Sequence, residues 1–379
     1  MIEQSDRIKG SLFGLLWGDV LGCPVETWKD FQIKNVYGKY SDLPTSFPFD
    51  KMEKVDEKFL KRARPLGLYS DDGQQALALL NICCNDKGWK KESWSSMLKD
   101  GAESEIWRGT GRFFNDAVRR LSTGVREEKS GSQSSGIGSA MRVGPLGAYF
   151  RDDIEALEKA IFESSAITHA DIAAIAFSFA IADAVHMFVN GYTIDEVKAN
   201  LGSHVMAFEN QIFHGYADWN INRSKDNLVS NTINSLLIDY DFELKDLNKV
   251  REKISELAKP HLAEGFVKAH PNQGFVLTGG MHALVMALQN QLNPQEALIS
   301  IVNMGYDTDT VAAIAGSILG ARYGYDWIPK ERILDIKRVE KYANAMVDFS
   351  AKVENKEKFI ENEKTLTLRE KRFQKSNKN

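Results

Sequence analysis

Apolar residues recur at three- and four-residue spacing along most of this chain, as they do in helices that bury one face. The pattern covers residues 8–20, 75–84, 113–121, 154–161, 170–188, 228–237, 275–288, 297–304 and 310–323. Alternating two-residue patterns are scarce, and only 9 of the 379 residues are proline. We therefore predict an all-α fold, a compact multi-helix bundle around a central pair of helices rich in small residues.

Carboxylate and hydroxyl side chains are concentrated directly before two of these helices. The members of the two clusters are Ser70, Asp71 and Asp72, and Asp307, Thr308, Asp309 and Thr310. One such cluster is explained by helix capping, because Asp and Ser accept hydrogen bonds at the positive end of the helix dipole. Two clusters together hold more acid than capping uses.

Convergence of the two helix starts would bring their carboxylates into repulsion unless cations lay between them. Mg²⁺ suits such a set, because it takes carboxylate oxygens and keeps water or substrate oxygens as its remaining ligands. We predict a dinuclear Mg²⁺ site between the helix N-termini that holds a polyhydroxyl substrate.

The composition excludes several classes of partner. The formal net charge is −4, so no overall field attracts nucleic acid or anionic lipid. The three cysteines, at 23, 83 and 84, suit a reducing compartment better than a disulfide framework. No signal peptide is visible, and Asp183 and His186 interrupt the long apolar segment at 172–189. We expect a cytoplasmic monomer with no membrane or nucleic-acid partner; delivery to another cell stays open.

Composition also divides the chain. We expect residues 1–350 to form one domain and residues 351–379, mostly Lys, Glu and Asn, to form a charged tail that is a solvated helix or partly disordered. Residues 28–68 hold most of the early prolines and aromatic residues and are predicted to be a long loop.

Five motifs in a fixed order carry a resemblance to a known family. They are Gly18-Asp19-Val20-Leu21-Gly22-Cys23-Pro24-Val25-Glu26, Ser70-Asp71-Asp72, Gly138-Ser139-Ala140-Met141-Arg142-Val143-Gly144-Pro145-Leu146-Gly147, Thr168-His169 and Asn303-Met304-Gly305-Tyr306-Asp307-Thr308-Asp309-Thr310. The series resembles the ADP-ribosylglycohydrolase family over about residues 8–325.

The resemblance implies a helical hydrolase with two Mg²⁺ ions, or Mn²⁺ in their place. It would release ADP-ribose from an ADP-ribosylated protein by cleaving the C1″ glycosidic bond. By motif position, the metal ligands would be Ser70, Asp71, Asp72, Asp307, Asp309 and Thr310. The catalytic residues would be Glu26, Asp71 and Asp309, with Glu26 as a ligand or a base, and Asp19 would be structural.

A glycine-rich loop at 134–139 precedes the predicted helix at 140–149, where backbone N–H groups can hold a diphosphate. The resemblance assigns this loop to the ADP-ribose phosphates and adds a histidine. The substrate-binding set is then Ser134, Gly136, Gly138, Ser139 and His169. Without the resemblance, the loop and His169 have ordinary structural explanations, and Arg142 is expected to be a buried structural residue.

The match departs from the family at Gly73, which stands in place of threonine, and at Ile137, where many members have asparagine. All six proposed ligands are present. Two alternatives stay open: a non-catalytic ADP-ribose-binding or crystallin-like protein, and a hydrolase of a small ADP-ribose metabolite such as an acylated ADP-ribose. The residues do not select an arginine, serine or other linkage.

Overall fold

The computed structural model describes residues 2–48, 57–240, 242, 245–262 and 269–377. Isolated β-bridges occur in this part of the chain, but no strand does, so the predicted all-α fold is confirmed. The α-helices are α1 (Gln4–Gly22), α2 (Asp30–Tyr37), α3 (Glu57–Arg62), α4 (Asp71–Asp86), α5 (Lys91–Glu103), α6 (Arg112–Ser122), α7 (Glu127–Ser130), α8 (Gly144–Tyr149), α9 (Ile154–Ala166), α10 (Ile172–Val189), α11 (Ile194–His214), α12 (Leu228–Asn234), α13 (Leu247–Ala258), α14 (Met281–Leu288), α15 (Pro294–Val302), α16 (Thr308–Tyr323), α17 (Ile336–Val347) and α18 (Lys356–Ser376).

Helices α1 and α16 form the predicted central pair, and their backbones touch. A Cβ atom placed on Gly14 would lie 2.0 Å from the carbonyl oxygen of Gly316, and one on Gly18 would lie 2.0 Å from that of Ala312. Such distances are far below van der Waals contact, so only glycine fits at these positions. The close approach brings the C-terminal end of α1 against the first turn of α16, where the hydroxyl group of Thr308 donates to the carbonyl oxygen of Gly22 at 2.8 Å.

Helix α10 is the most apolar element and belongs to the core. It is long and apolar enough to cross a membrane, but 94% of it is buried within the protein. A helix that is hydrophobic on all sides is buried, either in a large core or in a membrane. Asp171 caps its first turn by accepting from the N–H of Ala173 at 3.0 Å. The burial supports the core interpretation made from the sequence.

The predicted long loop at 28–68 was wrong in part. Helices α2 and α3 lie within it, and residues 49–56 are outside the described residues. Helix α2 is amphipathic on a small scale: it buries Ile33, while Phe31 stays exposed. Short helices with one buried apolar residue give little periodic signal, which explains the error.

The prediction for the tail was wrong in part: it is helical, as one alternative had it, but one face of the helix is buried instead of solvated. Residues 356–376 form the 21-residue helix α18, whose buried face carries Phe359, Glu363, Thr367 and Glu370. These positions are three or four residues apart, so they share one side of the helix. Two of the four are acidic and were read as solvent-exposed; they are instead buried against arginine side chains. Helix α18 therefore packs onto the body of the protein.

Candidate active site

The two acidic helix starts meet, as predicted. Asp71 and Asp72 lie in the first turn of α4, Asp307 occupies the N-cap position of α16 without a side-chain capping bond, and Asp309 lies in the first turn of α16. The hydroxyl group of Thr310 is 3.5 Å from Asp72 Oδ2, which joins the two clusters directly. The packing of α16 against α1 positions the cluster of Asp307 and Asp309, and the buried helix α4 positions the cluster of Asp71 and Asp72.

The start of α4 is fixed by Asp19 at the end of α1. Both carboxylate oxygens of Asp19 accept from the N–H of Ser70 at 2.9 Å, and Oδ2 also accepts from the N–H of Gly73 at 2.9 Å. The hydroxyl group of Ser70 donates to Asp72 Oδ2 at 2.7 Å and caps the helix. A Cβ atom on Gly73 would lie 2.4 Å from a methyl group of Leu16, which explains the glycine. These hydrogen bonds are consistent with the structural role predicted for Asp19.

Two backbone hydrogen bonds hold the loop of Glu26 beside the loop of Asp307. The N–H of Thr27 donates to the carbonyl oxygen of Tyr306 at 2.7 Å, and the N–H of Tyr306 donates to that of Trp28 at 2.6 Å. Thr27 and Tyr306 have φ values of +70° and +65°, in the left-handed region that is costly for residues with a Cβ atom. Backbone strain of this kind is concentrated at functional sites.

Most of the predicted residues line one cavity of about 200 Å³. Its lining includes the predicted residues Glu26, Asp71, Asp307, Asp309, Thr310, Gly136, Gly138 and His169. Ser70 and Asp72 are buried beside it. A larger groove of about 950 Å³ runs between α5, α6 and α18, away from these groups.

Two serines of the glycine-rich loop support the loop instead of lining the cavity. Ser134 accepts from the N–H of Gly136 at 3.2 Å. Ser139 is fully buried, and its hydroxyl group accepts from that of Ser178 at 2.9 Å. The structure therefore places Gly136 and Gly138 at the cavity, with the serines behind them.

His169 faces the loop at Gly138, where an added Cβ atom would lie 2.8 Å from the histidine Nε2. The hydroxyl group of Thr168 is 3.0 Å from His169 Nδ1 and accepts from Arg142 at 2.7 Å. Burial, followed by the charge of Arg142, lowers the pKa of His169 to about 3, so the ring is neutral near pH 7. Arg142 is fully buried and also donates to the carbonyl oxygen of Ser164 at 2.8 Å, which confirms its structural role.

Crowding of buried acids shapes the electrostatics of the site. Burial, reinforced by the charge of Asp309, raises the pKa of Asp71 and that of Asp307 to about 7. The pKa values of Glu26 and Asp72 are also raised, again mainly by burial. Carboxyl groups so close together share protons or attract cations.

The donor set fits a hard divalent cation. Among the described residues, Asp72 Oδ1 and Asp309 Oδ1 are buried without a hydrogen-bond partner. A buried carboxylate oxygen without a partner is costly, and a cation would satisfy both atoms. Oxygen-only donors from Asp71, Asp307 and Thr310 complete a set of the kind that Mg²⁺ or Mn²⁺ prefers.

Two arginines at the site were missed by the sequence interpretation. Arg64 is 2% exposed; its Nη1 lies 3.6 Å from Asp309 Oδ2, and its Nη2 lies 3.4 Å from Glu26 Oε2. Arg62 pairs with Glu26 Oε1 at 3.1 Å. The available signal was the basic run Lys61-Arg62-Ala63-Arg64, shortly before the first acidic cluster. The arginines offset part of the negative charge but leave acids in excess.

Comparisons with known proteins show what the chain is similar to. A sequence model of the family described as ADP-ribosylglycohydrolase matches residues 2–357. An uncharacterized protein of Archaeoglobus fulgidus is 25% identical over 84% of this chain and 88% of its own length. Human ADP-ribosylhydrolase ARH3 is 24% identical over 86% of this chain and 87% of its own length. The ADP-ribosylarginine hydrolase Tri1 of Pseudomonas putida is 22% identical over 93% and 81%.

A solved structure described as an ADP-ribosylglycohydrolase-related protein complex shares the fold. It superposes with a TM-score of 0.62 at 20% identity, over 92% of this chain and 99% of the other.

Proposed function

Because this chain belongs to the ADP-ribosylglycohydrolase family, we propose that it is a divalent-cation-dependent hydrolase that removes ADP-ribose from a modified protein side chain. The observation that carries the proposal is the shared cavity, whose lining joins acids of both helix starts and Glu26 with Gly138 and His169. Family membership supports a glycohydrolase, and the curated relatives include enzymes named for ADP-ribose removal.

The acidic half of the cavity would hold the cation and the distal ribose. Asp71, Asp72, Asp307, Asp309 and Thr310, with Ser70 behind them, are the groups that would bind it. When bound, a divalent cation would polarise sugar oxygens and lower the pKa of a nearby water. Convergent carboxylates on rigid helix starts would keep the sugar in one orientation, which favours reaction.

Glu26 lines the cavity and would accept a proton from a water bound there. Its side chain is 6% exposed, and Arg62 at 3.1 Å and Arg64 at 3.4 Å hold its two oxygens. The pKa of Glu26 is raised by burial and then by the charge of Asp309, so the carboxylate binds a proton more tightly than an exposed glutamate does. We infer that Glu26 takes the proton of the attacking water.

The glycine-rich half of the cavity would receive the nucleotide. Gly136 and Gly138 lack side chains, so a ligand can approach their backbone closely. The neutral ring of His169 adds one hydrogen-bonding group without a positive charge. The acidic and the glycine residues of the lining would then bind different parts of the substrate.

The test is a linkage panel. The protein is incubated with ADP-ribosylated arginine, serine and cysteine peptides, with ADP-ribosylated thymidine and with acyl ADP-ribose, in Mg²⁺ or in EDTA. Released ADP-ribose is quantified by mass spectrometry. We expect release from at least one protein linkage in Mg²⁺ only.

A pair of matched variants sharpens the test. Asp309→Asn should reduce release by at least about 100-fold, because changing residues that only orient the ligands already costs about 10- to 100-fold at metal sites. Asp195→Asn makes the same change at an exposed position in the first turn of α11 and should leave release unchanged. Release that persists in EDTA would contradict the cation requirement. Calorimetric binding of ADP-ribose without turnover of any substrate would instead favour the non-catalytic alternative.

A further inference from the structure

The C-terminal helix α18 reaches the acidic site, although all but its first two residues lie beyond the family match, which ends at residue 357. Glu370, 6% exposed, accepts a hydrogen bond from Arg64 Nε at 3.1 Å. Two turns earlier, the fully buried Glu363 accepts from Arg108 at 2.7 Å and pairs with Arg338 at 2.5 Å. The register of α18, and with it the position of Glu370, is therefore fixed by contacts outside the site.

Arg64 carries the contact from α18 into the acidic cluster. Its Nε faces Glu370, whereas Nη1 donates to Cys23 Sγ at 2.8 Å and lies 3.6 Å from Asp309 Oδ2. Its Nη2 lies 3.4 Å from Glu26 Oε2. A guanidinium group keeps its charge at any pH that proteins meet. One permanent cation thus lies beside the proposed metal ligands.

We propose that Glu370 is a positioning residue: it holds Arg64 at one side of the acidic cluster, offsets part of its charge and thereby raises the affinity of the cluster for divalent cations. The proposal rests on the proposed function, which requires a cation near Asp309. A guanidinium this close to the ligands repels a divalent cation, and an anion on the other side of the guanidinium weakens that repulsion. Glu370 acts through Arg64, because its hydrogen bond goes to Nε and not to the ligands.

The test measures Mn²⁺ affinity by electron paramagnetic resonance, in which binding removes the signal of free Mn²⁺. Glu370→Gln should weaken binding by about tenfold, because Arg64 loses its counter-charge. Arg64→Met should strengthen binding by about tenfold or more, because a positive charge leaves the cluster. In the double variant, the loss of Glu370 should change affinity by no more than about twofold, since its intermediary is gone.

The matched control is Glu361→Gln on the same helix. Its side chain is 68% exposed and pairs only with Lys358 among the ion pairs of the described residues. It should bind Mn²⁺ as the wild type does. Circular dichroism reports whether each variant is folded, and a merely structural role for Glu370 would lower the melting temperature without changing the Mn²⁺ affinity of the folded protein.

The outcomes separate this proposal from the proposed function. Equal effects of Glu370→Gln in the presence and absence of Arg64 would overturn the proposal for Glu370. Weaker Mn²⁺ binding in Arg64→Met would also overturn it. Neither result would affect Mg²⁺-dependent release of ADP-ribose by the wild type. If Arg64→Met does not fold, Glu370→Gln against Glu361→Gln remains decisive, and equal affinities overturn the proposal. A wild type that binds no Mn²⁺ and releases ADP-ribose in EDTA would overturn both.

Discussion

Without divalent cations, the acidic cluster is expected to weaken the fold as pH rises. Burial, with a further contribution from Asp309, raises the pKa of Asp71 and that of Asp307 from 3.8 to about 7. A carboxyl group whose pKa is raised by folding stabilises the folded state below its unfolded pKa. That stabilisation is lost as pH rises through the folded pKa. The loss therefore falls between about pH 4 and pH 7 for these two groups.

The size of the effect follows from the two pKa values. For one group with a pKa of about 7 when folded and about 3.8 when unfolded, linkage gives a loss of about 2.5 kcal/mol between pH 5 and pH 8. His169 changes stability with pH in the opposite direction. Its pKa is about 3 in the folded state and 6.5 in the unfolded state, so the unfolded chain binds a proton first as pH falls. The difference between wild type and Asp307→Asn isolates the cluster from such groups.

Urea unfolding in EDTA at several pH values from 5 to 8, followed by circular dichroism, measures this difference. Between pH 5 and pH 8, the free energy of unfolding should fall less in Asp307→Asn than in the wild type, by a difference of about 2 to 3 kcal/mol. Mg²⁺ added at pH 8 should stabilise the wild type more than the variant, because it binds the folded cluster. The exposed control Asp195→Asn should follow the wild type. Parallel pH profiles for wild type and Asp307→Asn would refute the reasoning.

Three further substitutions test the fold and the nucleotide half of the cavity. Gly14→Ala places a Cβ atom 2.0 Å from a carbonyl oxygen of α16 and should destabilise by about 3 kcal/mol or more in urea. Gly111→Ala, which meets no atom within 4 Å and changes only the N-cap residue of α6, should cost no more than about 1 kcal/mol; equal losses would contradict the packing argument. Gly138→Ala, 2.8 Å from the histidine ring, should weaken calorimetric ADP-ribose binding about tenfold, and unchanged binding would remove the loop from the site. Glu363→Ala leaves the buried guanidinium group of Arg108 without its anion, although Arg338 keeps Glu354, and should cost about 3 to 5 kcal/mol of unfolding free energy; Lys371→Ala, at an exposed pair, should cost less than about 1 kcal/mol.

The helices and the meeting of the acidic turns could be predicted because their signals are local or ordered along the chain. Periodicity marks α4 and α16, and the acids stand where capping residues stand. The glycines of α1 and α16 also predict that helices pack closely there. What periodicity does not give is which helices are neighbours; that step came from the motif order and its family resemblance.

The arginine at the site and the buried face of α18 could not be predicted in this way. Arg64 and Glu370 are 306 residues apart, so neither carries a local sign of the other. An acidic residue in a charged helix is ordinarily solvated, and only a known partner makes its burial reasonable. Glu363 was misread for the same reason, since Arg108 lies in a segment with no motif.

The glycine contact between α1 and α16 has a consequence for how the sequence of such a protein can change. Where two main chains meet without side chains between them, their spacing depends on peptide geometry and not on which rotamers the surrounding core selects. Core repacking elsewhere would leave the separation of the Gly22 and Thr308 turns almost untouched. Sequence change is then expected mainly in the solvent-facing loops, which can vary while the spacing of α1 and α16 stays the same.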